Sequence, residues 1–196
     1  VNEVFSIFLD NRAEAQTGGP HGYWLSLPTS AEQVQETLKE IHITADNQQD
    51  LFIGGFSAPE GKPLELPEDL IKAASVDELN LLQKLDAVEL AELNAVMQSP
   101  AKMQTIWQLL DYAENTDCFV LINAKDNRSL GEYYLNDSGL FVVPDPWKPA
   151  IDTDRLGSFI ANEEQGTFTD YGYILRTSDE WQRVHEGQPV PEEYRV

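Results

Sequence analysis

Residues 75–97 read SVDELNLLQKLDAVELAELNAVM, in which leucines recur at helical spacing among acidic residues. The run Ser75-Val76-Asp77-Glu78 has the spacing of a capping box, which predicts a helix start with Leu79, Leu82 and Leu85 turned inward. Such periodicity is typical of short amphipathic helices and not of strands. The middle of the chain is therefore predicted to be helical.

The helical signal extends over residues 68–114. Asp86 is predicted to cap a second helix, and Ser99 followed by Pro100 predicts the start of a third. The inward side chains of these two helices are expected to be Leu90, Leu93, Met97, Met103, Ile106, Trp107 and Leu110. Their outer faces are expected to carry two acidic pairs, Glu89 with Glu92 and Asp111 with Glu114. Like charges at this spacing cost about 0.2–0.5 kcal/mol per pair, so their repetition favours a use for the surface.

Mixed structure is predicted before this helical segment. Apolar runs indicate strands at about 4–9, 23–28 and 50–56, and a helical pattern lies between the last two at about 31–41. Together these elements make a small β-β-α-β unit. Residues 58–67 are rich in proline and turn residues, which is typical of a linker.

Several local signals give the details of this unit. The run Gly18-Gly19-Pro20-His21-Gly22 predicts a turn, and Thr29-Ser30-Ala31-Glu32 has a capping-box spacing. The inward face of the helix is expected to carry Ala31, Val34, Leu38 and Ile41. Another face of this helix carries an acidic stripe with i, i+4 spacing, which consists of Glu32, Glu36 and Glu40.

The last segment returns to mixed structure. Strands are predicted at 118–123, 140–143 and 167–176, a short helix capped by Ser129, and a helix from Asp154. Cys118 lies in an apolar run and is expected to be a buried small hydrophobe. Residues 177–196 are polar, contain two prolines and are expected to pack loosely.

These patterns predict an α+β fold in which small antiparallel sheets with helices flank a central helical bundle. The expected order is an N-terminal α+β domain at 1–62, an acidic helical domain at 63–116, a C-terminal α+β domain at 117–176 and a polar tail at 177–196. No apolar stretch reaches the roughly 18 residues of a membrane span, and no signal peptide is evident, so a cytoplasmic protein is expected.

Charge is the most distinctive feature of the composition. The chain has 34 acidic and 13 basic residues, a net charge of −21, and residues 1–64, 65–117 and 118–196 carry −6, −8 and −7. With 41% hydrophobic residues the chain is too apolar to be a disordered acidic segment. A duplex carries one charge per about 1.7 Å, so this charge corresponds to roughly 36 Å of DNA. Mimicry of DNA is one interpretation, and the others are acidity that serves solubility and the general acidity of a salt-adapted proteome.

Catalytic and ligand-binding motifs are few. His21, His42 and His185 lack metal-ligand spacing and are interpreted as surface histidines, and the sequence has no nucleotide-binding or hydrolase motif. Arg128 and Leu130 occupy the ligand positions of the calcium-loop-like run that begins at Asp126, which excludes that interpretation. The strong negative charge disfavours direct binding of nucleic acid. No cofactor, metal site or catalytic residue is predicted.

Phrases along the chain resemble the ArdA-type antirestriction proteins, the DNA mimics of plasmids, transposons and phages. The phrases that carry the resemblance over about residues 4–175 are Gly22-Tyr23-Trp24-Leu25-Ser26-Leu27-Pro28, Asp77-Glu78-Leu79-Asn80, Leu109-Leu110-Asp111-Tyr112-Ala113-Glu114-Asn115, Ser129-Leu130-Gly131-Glu132-Tyr133-Tyr134, Gly166-Thr167-Phe168-Thr169 and Gly172-Tyr173-Ile174. Two phrases of the family are reduced here, at Ile53-Gly54-Gly55-Phe56 and at residues 150–157. Both changes remove charged or aromatic surface.

The resemblance implies an elongated, curved molecule of three small domains that dimerises through its C-terminal region. It also implies competitive occupation of the DNA groove in the specificity and methyltransferase subunits of type I restriction–modification enzymes. The carboxylates expected to replace phosphates are Asp77, Glu78, Glu89, Glu92, Asp111, Glu114, Asp126, Glu132, Asp152 and Asp154. Because this mimicry is distributed, single charge removals are expected to have small effects.

Two other interpretations of the sequence stay open. The chain could be an acidic module that sequesters another basic DNA-binding protein, such as a nucleoid protein or a repressor. It could also be a small hydrolase that uses Asp152 and Asp154 for general acid–base chemistry. The first predicts a different partner in a pull-down, and the second predicts binding of a divalent metal at these two carboxylates.

Overall fold

The computed structural model describes residues 3–18 and 21–196, and it confirms a mixed fold of helices and small antiparallel sheets. The turn predicted at 18–22 includes Gly19 and Pro20, which lie outside the described residues. Two compact units are present. The first contains the described residues up to Asp86 together with Met103–Glu114 and Arg183–Val196, and the second contains Ala87–Lys102 and Asn115–Gln182. The division at 62, 116 and 176 stays a prediction.

A three-stranded antiparallel sheet organises the first unit. Its strands are β1 (Phe5–Asn11), β2 (Gly22–Leu27) and β3 (Leu51–Ser57), in the order β2-β1-β3. Helix α1 (Arg12–Ala15) follows β1, and α2 (Ala31–Glu40) joins β2 to β3, so the predicted β-β-α-β unit is confirmed. The side chains that face the core are Phe5, Ile7, Leu9, Leu25, Leu27 and Ile53, all buried.

Helix α2 begins one residue later than its predicted capping box. The Ser30 hydroxyl accepts from the Gln33 N–H, and the Gln33 side chain accepts from the Ser30 N–H, so Thr29 is not the cap. Val34 is buried as predicted, but Ala31 is exposed because it lies in the first turn, beyond the edge of the packed face.

Four helices occupy the segment predicted to be helical: α3 (Glu68–Ala73), α4 (Val76–Leu81), α5 (Ala87–Met97) and α6 (Ile106–Tyr112). The capping box of Ser75 and Glu78 is confirmed. The predicted inward leucines of α4 and the turn after it are also confirmed, since Leu79, Leu82 and Leu85 are buried.

The predicted start of the third helix at Ser99 is wrong. The buried Ser99 hydroxyl donates to the Val96 carbonyl at 2.7 Å, so this residue closes α5 instead of opening a helix. Helix α6 begins at Ile106, six residues beyond Pro100, and the hydroxyl of its cap residue Thr105 accepts from the Gln108 N–H at 3.2 Å. A serine–proline pair fits either role, because a serine hydroxyl caps helix starts and also bonds carbonyls at helix ends.

The second unit is built on another three-stranded antiparallel sheet. Its strands are β4 (Phe119–Ile122), β5 (Thr167–Thr169) and β6 (Gly172–Arg176), in the order β4-β6-β5. The single strand predicted at 167–176 is therefore a hairpin. Gly172 has φ +135, a conformation that favours glycine, and this allows the chain to reverse before β6.

Two further helices, α7 (Asn127–Asn136) and α8 (Thr153–Glu164), pack against each other, and α5 contacts β4 and β6. Leu130 and Tyr134 of α7 and Ile160 of α8 share a buried core with Ile122 of β4 and Tyr173 of β6. The Asp126 carboxylate caps α7 and Ser129 lies at its third position, so the prediction of Ser129 as the cap is wrong by three residues. Residues 140–143, predicted to form a strand, lie outside the sheet and carry exposed apolar side chains. Short 3₁₀ helices lie at Gln48–Asp50, Leu82–Lys84, Thr116–Cys118, Asp145–Ala150 and Glu192–Tyr194.

The end of the chain is packed rather than loose. Residues 183–196 belong to the first unit, where His185 and Val190 are buried. The interpretation of His185 as a surface histidine is therefore wrong. Polar composition predicted exposure, but backbone groups of this segment form hydrogen bonds with side chains of α4 and α6.

Candidate functional site

Ten carboxylates were predicted to form a binding surface, and the structure gives them different surroundings. Asp111 is buried, and Asp77, Glu78, Glu89 and Glu92 are half-buried. The remaining five, which are exposed at least in part, are Glu114, Asp126, Glu132, Asp152 and Asp154. Asp111 and Glu114 form one pair at i, i+3 spacing, yet the first is buried and the second exposed, so the spacing does not separate buried from exposed members.

Asp111 is an internal residue of the first unit, and its predicted place on an outer helix face is wrong. It is 2% exposed, and its Oδ1 accepts hydrogen bonds from the backbone N–H groups of Val184 and His185, each at 2.8 Å. A carboxylate is buried at tolerable cost only where donors surround it. The returning C-terminal segment supplies those donors.

The same segment is held at two further points on α4. The Asp77 carboxylate accepts from the Val196 N–H at 2.9 Å, and the buried Asn80 side chain donates to the Tyr194 carbonyl at 3.0 Å. Asn80 also accepts from the Thr29 N–H at 2.9 Å, so it links the C-terminal segment to the loop before α2. Asp77 and Asn80 therefore stabilise the fold, a role that their helical spacing did not indicate.

Glu114 lies in a three-residue charge cluster. Its carboxylate bonds to the Lys84 ammonium and lies 3.2 Å from the His185 Nε2. Burial alone would raise the pKa of Glu114, but the hydrogen bonds from Lys84 and His185 outweigh it and lower the pKa. The side chain therefore keeps its negative charge at neutral pH while it helps to hold the C-terminal segment.

Three of the predicted carboxylates cap helices. Asp126 accepts from the Ser129 N–H at 2.8 Å, Asp152 accepts from the Asp154 and Arg155 N–H groups at 3.1 Å each, and Glu78 accepts from the Ser75 N–H. The hydrogen bonds from Ser129 lower the pKa of Asp126. A carboxylate that caps a helix in this way is fixed at the N-terminal end of that helix, where negative charge is stabilised.

Glu132 and Asp154 are exposed, as are the members of the acidic stripe on α2, which are Glu32, Glu36 and Glu40. Sequence reasoning noted the spacing of this stripe but did not count it among the binding residues. The i, i+4 spacing was sufficient to find it, because three charges on one face cannot all turn toward the core.

The other two histidines also pair with carboxylates. His21 Nδ1 lies 2.7 Å from the buried Asp10 carboxylate, and His42 Nδ1 lies 2.6 Å from Glu14. The first pair connects β1 to the residue before β2, and the second connects α1 to the residues that follow α2. In the described part of the chain, no group of three or more His, Cys, Asp or Glu residues is arranged to hold a metal ion.

A tyrosine cluster lies in the core of the second unit. Glu164 accepts hydrogen bonds from the Tyr134 and Tyr173 hydroxyls, and the Gly166 N–H donates to the Tyr173 oxygen at 3.2 Å. Burial raises the pKa of Tyr173 to about 12 and that of Tyr134 further. Both hydroxyls stay protonated at neutral pH and donate to the Glu164 carboxylate.

The thiol of Cys118 is buried, as predicted, and burial raises its pKa. A protonated thiol in an apolar setting is a poor nucleophile. Over residues 3–18 and 21–196, no helix is long and apolar enough to cross a bilayer.

Exposed carboxylates are present in each of the two units, Glu32, Glu36 and Glu40 in the first and Glu132 and Asp154 in the second. Residues 7–175 match the family model of the ArdA antirestriction proteins. This match spans most of the 196-residue chain, and the chain therefore belongs to the ArdA antirestriction family, as its motifs predicted. Membership implies an antirestriction function and an interaction with restriction enzymes. A search of curated proteins found no match.

Proposed function

We propose that this protein is a DNA mimic that occupies the DNA groove of type I restriction–modification enzymes, in their specificity and methyltransferase subunits. The supporting observation is a net charge of −21 spread along a folded chain. A folded body with such a charge repels itself, and the cost is offset if a strongly basic groove receives it. The proposal retains the elongated, three-domain arrangement that the family resemblance implies.

Carboxylates that are exposed at least in part take the place of phosphates in this mechanism. The proposed set consists of the exposed Asp126, Glu132, Asp152 and Asp154, the α2 stripe Glu32, Glu36 and Glu40, and the half-buried Glu89 and Glu92. Asp77, Glu78 and Glu114 are proposed to contribute mainly to the negative electrostatic potential around the protein, because Asp77 accepts from the Val196 N–H, Glu78 accepts from the Ser75 N–H and Glu114 pairs with Lys84. Asp111 does not belong to this set, because its side chain is buried.

The test is direct binding of the labelled protein to a type I methyltransferase at about 50 mM and about 200 mM salt. We expect the affinity to fall by about tenfold or more, because charge–charge attraction is screened. The logarithm of the affinity should fall less steeply with the logarithm of the salt concentration than it does for DNA, since a globular protein does not condense counterions as a duplex does. At a fixed salt concentration, the protein should also displace a fluorescent duplex from the enzyme.

The α2 stripe provides a graded control. Replacement of Glu32, Glu36 and Glu40 together by glutamine should weaken binding roughly tenfold, and Glu36→Gln alone by less than about fivefold. Gln35→Ala on the same exposed helix surface should have no effect. A large loss from the single charge removal, with the fold intact, would contradict distributed mimicry. Failure to displace DNA, together with capture of another basic DNA-binding protein, would favour the sequestering module.

We propose further that the protein forms a homodimer through its second unit. Of the ten large apolar side chains that are exposed in the described residues, five lie between residues 140 and 159: Leu140, Phe141, Val142, Trp147 and Phe159. Val142 is 96% exposed. Concentrated apolar exposure of this kind marks interaction surfaces in soluble proteins.

The dimer is tested by sedimentation of the wild type and of Val142→Asp. We expect a wild-type dimer and a monomeric variant with the circular dichroism spectrum of the wild type, because the side chain is exposed in the isolated chain and its replacement affects the fold little. The melting temperature of the variant should be lower and independent of protein concentration, because the stabilisation by dimerisation is lost. The matched control is Val184→Asp, an exposed valine of the first unit. A monomeric wild type, or a dimer that survives Val142→Asp, would contradict this interface.

A further inference from the structure

The outer face of the first sheet carries aromatic side chains. Phe8 of β1 is opposite Trp24 of β2 in the strand register, and Ser6 is opposite Ser26 on the same face. The rings of Phe8 and Trp24 are 5.2 Å apart between centroids. Trp24 is nevertheless 50% exposed, whereas Phe5, Ile7, Leu9, Leu25 and Leu27 on the opposite face of these strands are buried in the core.

Glycines make room for this aromatic face. A Cβ atom at Gly22 would lie 2.2 Å from the Phe8 ring, and one at Gly54 would lie 3.3 Å from it. The Phe8 ring can therefore lie against the sheet, and Trp24 packs against its side. An exposed ring that is supported in this way loses little conformational entropy on binding, which favours a contact residue.

Charged groups of both signs border the rings. The Glu3 carboxylate accepts from the hydroxyls of Ser6 and Ser26, the pair next to Phe8 and Trp24 on this face. At the other end, the Arg12 guanidinium lies over the Phe52 ring, 5.4 Å from its centroid. One guanidinium of the protein itself is thus already stacked on an aromatic ring of this unit.

We infer that the Trp24 face is a binding site for arginine side chains of a basic partner protein. A guanidinium over an indole gains cation–π attraction, and the Glu3 carboxylate on the same face can accept its N–H groups. Arginine is favoured over lysine because its planar group stacks and donates at the same time. The inference rests on the proposed function only in the identity of the partner protein that carries the arginines.

Nucleic acid is the less favoured occupant of these rings. Bases also stack on exposed tryptophan, but such sites lie in positively charged grooves that follow the phosphate backbone. Residues 1–64 carry a net charge of −6, and a carboxylate lies beside the rings. Phosphates would be repelled there, whereas guanidinium groups would be attracted.

The test is calorimetric titration of the full chain with nona-arginine and with nona-lysine, which have equal charge. We expect Trp24→Leu, which keeps apolar area but removes the π face, to bind nona-arginine roughly two- to fivefold more weakly. Trp24→Phe should restore part of the loss, and nona-lysine should change less. The matched control is Trp147→Leu, an exposed tryptophan of the second unit, which should bind as the wild type does.

The inference is overturned if Trp24→Leu binds nona-arginine as the wild type does, or if Trp147→Leu loses as much. It is also overturned if a short deoxythymidine oligonucleotide binds through Trp24. If Trp24 carries the preference for nona-arginine but the protein fails to displace DNA from the methyltransferase, the arginine site stands and the proposed function fails. If Trp24→Leu no longer displaces DNA from the methyltransferase, the arginine site takes part in the proposed function.

Discussion

Gly157→Ala is expected to destabilise the second unit by about 3 kcal/mol or more, although alanine is the better helix former. A Cβ at Gly157 of α8 would lie 1.7 Å from the Asn127 carbonyl oxygen and 2.8 Å from the Gly131 nitrogen of α7. A Cβ at Gly131 would lie 1.9 Å from the Thr153 carbonyl oxygen. These contacts are with backbone, so no side chain can rotate away, and the helices must separate.

The measurement is thermal unfolding of the full chain. A loss of about 3 kcal/mol corresponds to a melting temperature lower by roughly 6–12 °C at this chain length. The matched control is Ser158→Ala, which places alanine at the adjacent exposed position of α8 and should be neutral or slightly stabilising. An unchanged or raised melting temperature for Gly157→Ala would show that α7 and α8 do not cross at their glycines.

Asp111→Ala should have the second large effect, a loss of about 3 kcal/mol of unfolding free energy. The change leaves the N–H groups of Val184 and His185 without their acceptor in a buried site, and each unpaired buried donor costs about 1–3 kcal/mol. Asp111→Asn keeps a side-chain oxygen that can accept, so its loss should be clearly smaller. The measurement is urea unfolding followed by fluorescence.

Glu132→Ala provides the comparison, because Glu132 shares the acidic chemistry of Asp111 but is exposed on α7. It should leave the urea midpoint unchanged. Limited proteolysis adds an independent measurement, since residues 183–196 should be cleaved faster in Asp111→Ala than in the wild type. Equal midpoints for Asp111→Ala and Glu132→Ala would contradict the internal role of Asp111.

Asp111 and Glu132 show why charge spacing is a limited guide to which carboxylates lie on a binding surface. Both belong to phrases that resemble the family, and both were predicted to replace phosphates. One holds the backbone of the C-terminal segment and the other faces solvent. Loss of antirestriction in an Asp111 variant would therefore report unfolding, so binding studies should use the exposed carboxylates.

Local patterns were sufficient for part of the secondary structure and for the family. The alternation in β1 predicted a strand, the Ser75–Glu78 capping box predicted the start of α4, and the leucines that follow it are buried. Each of these features depends on residues within a few positions of one another, where hydrophobic periodicity and side-chain capping act. The acidic composition, likewise, needed no structure.

Contacts between distant residues were decided only by the tertiary structure. Asp111 has the spacing of an outer-face residue, but its donors come from Val184 and His185, more than 70 positions later. Gly131 and Gly157 each look like an ordinary helical glycine until α7 and α8 cross. Periodicity reports which side of an element is apolar, and it carries no information about which distant backbone will reach a polar group and bury it.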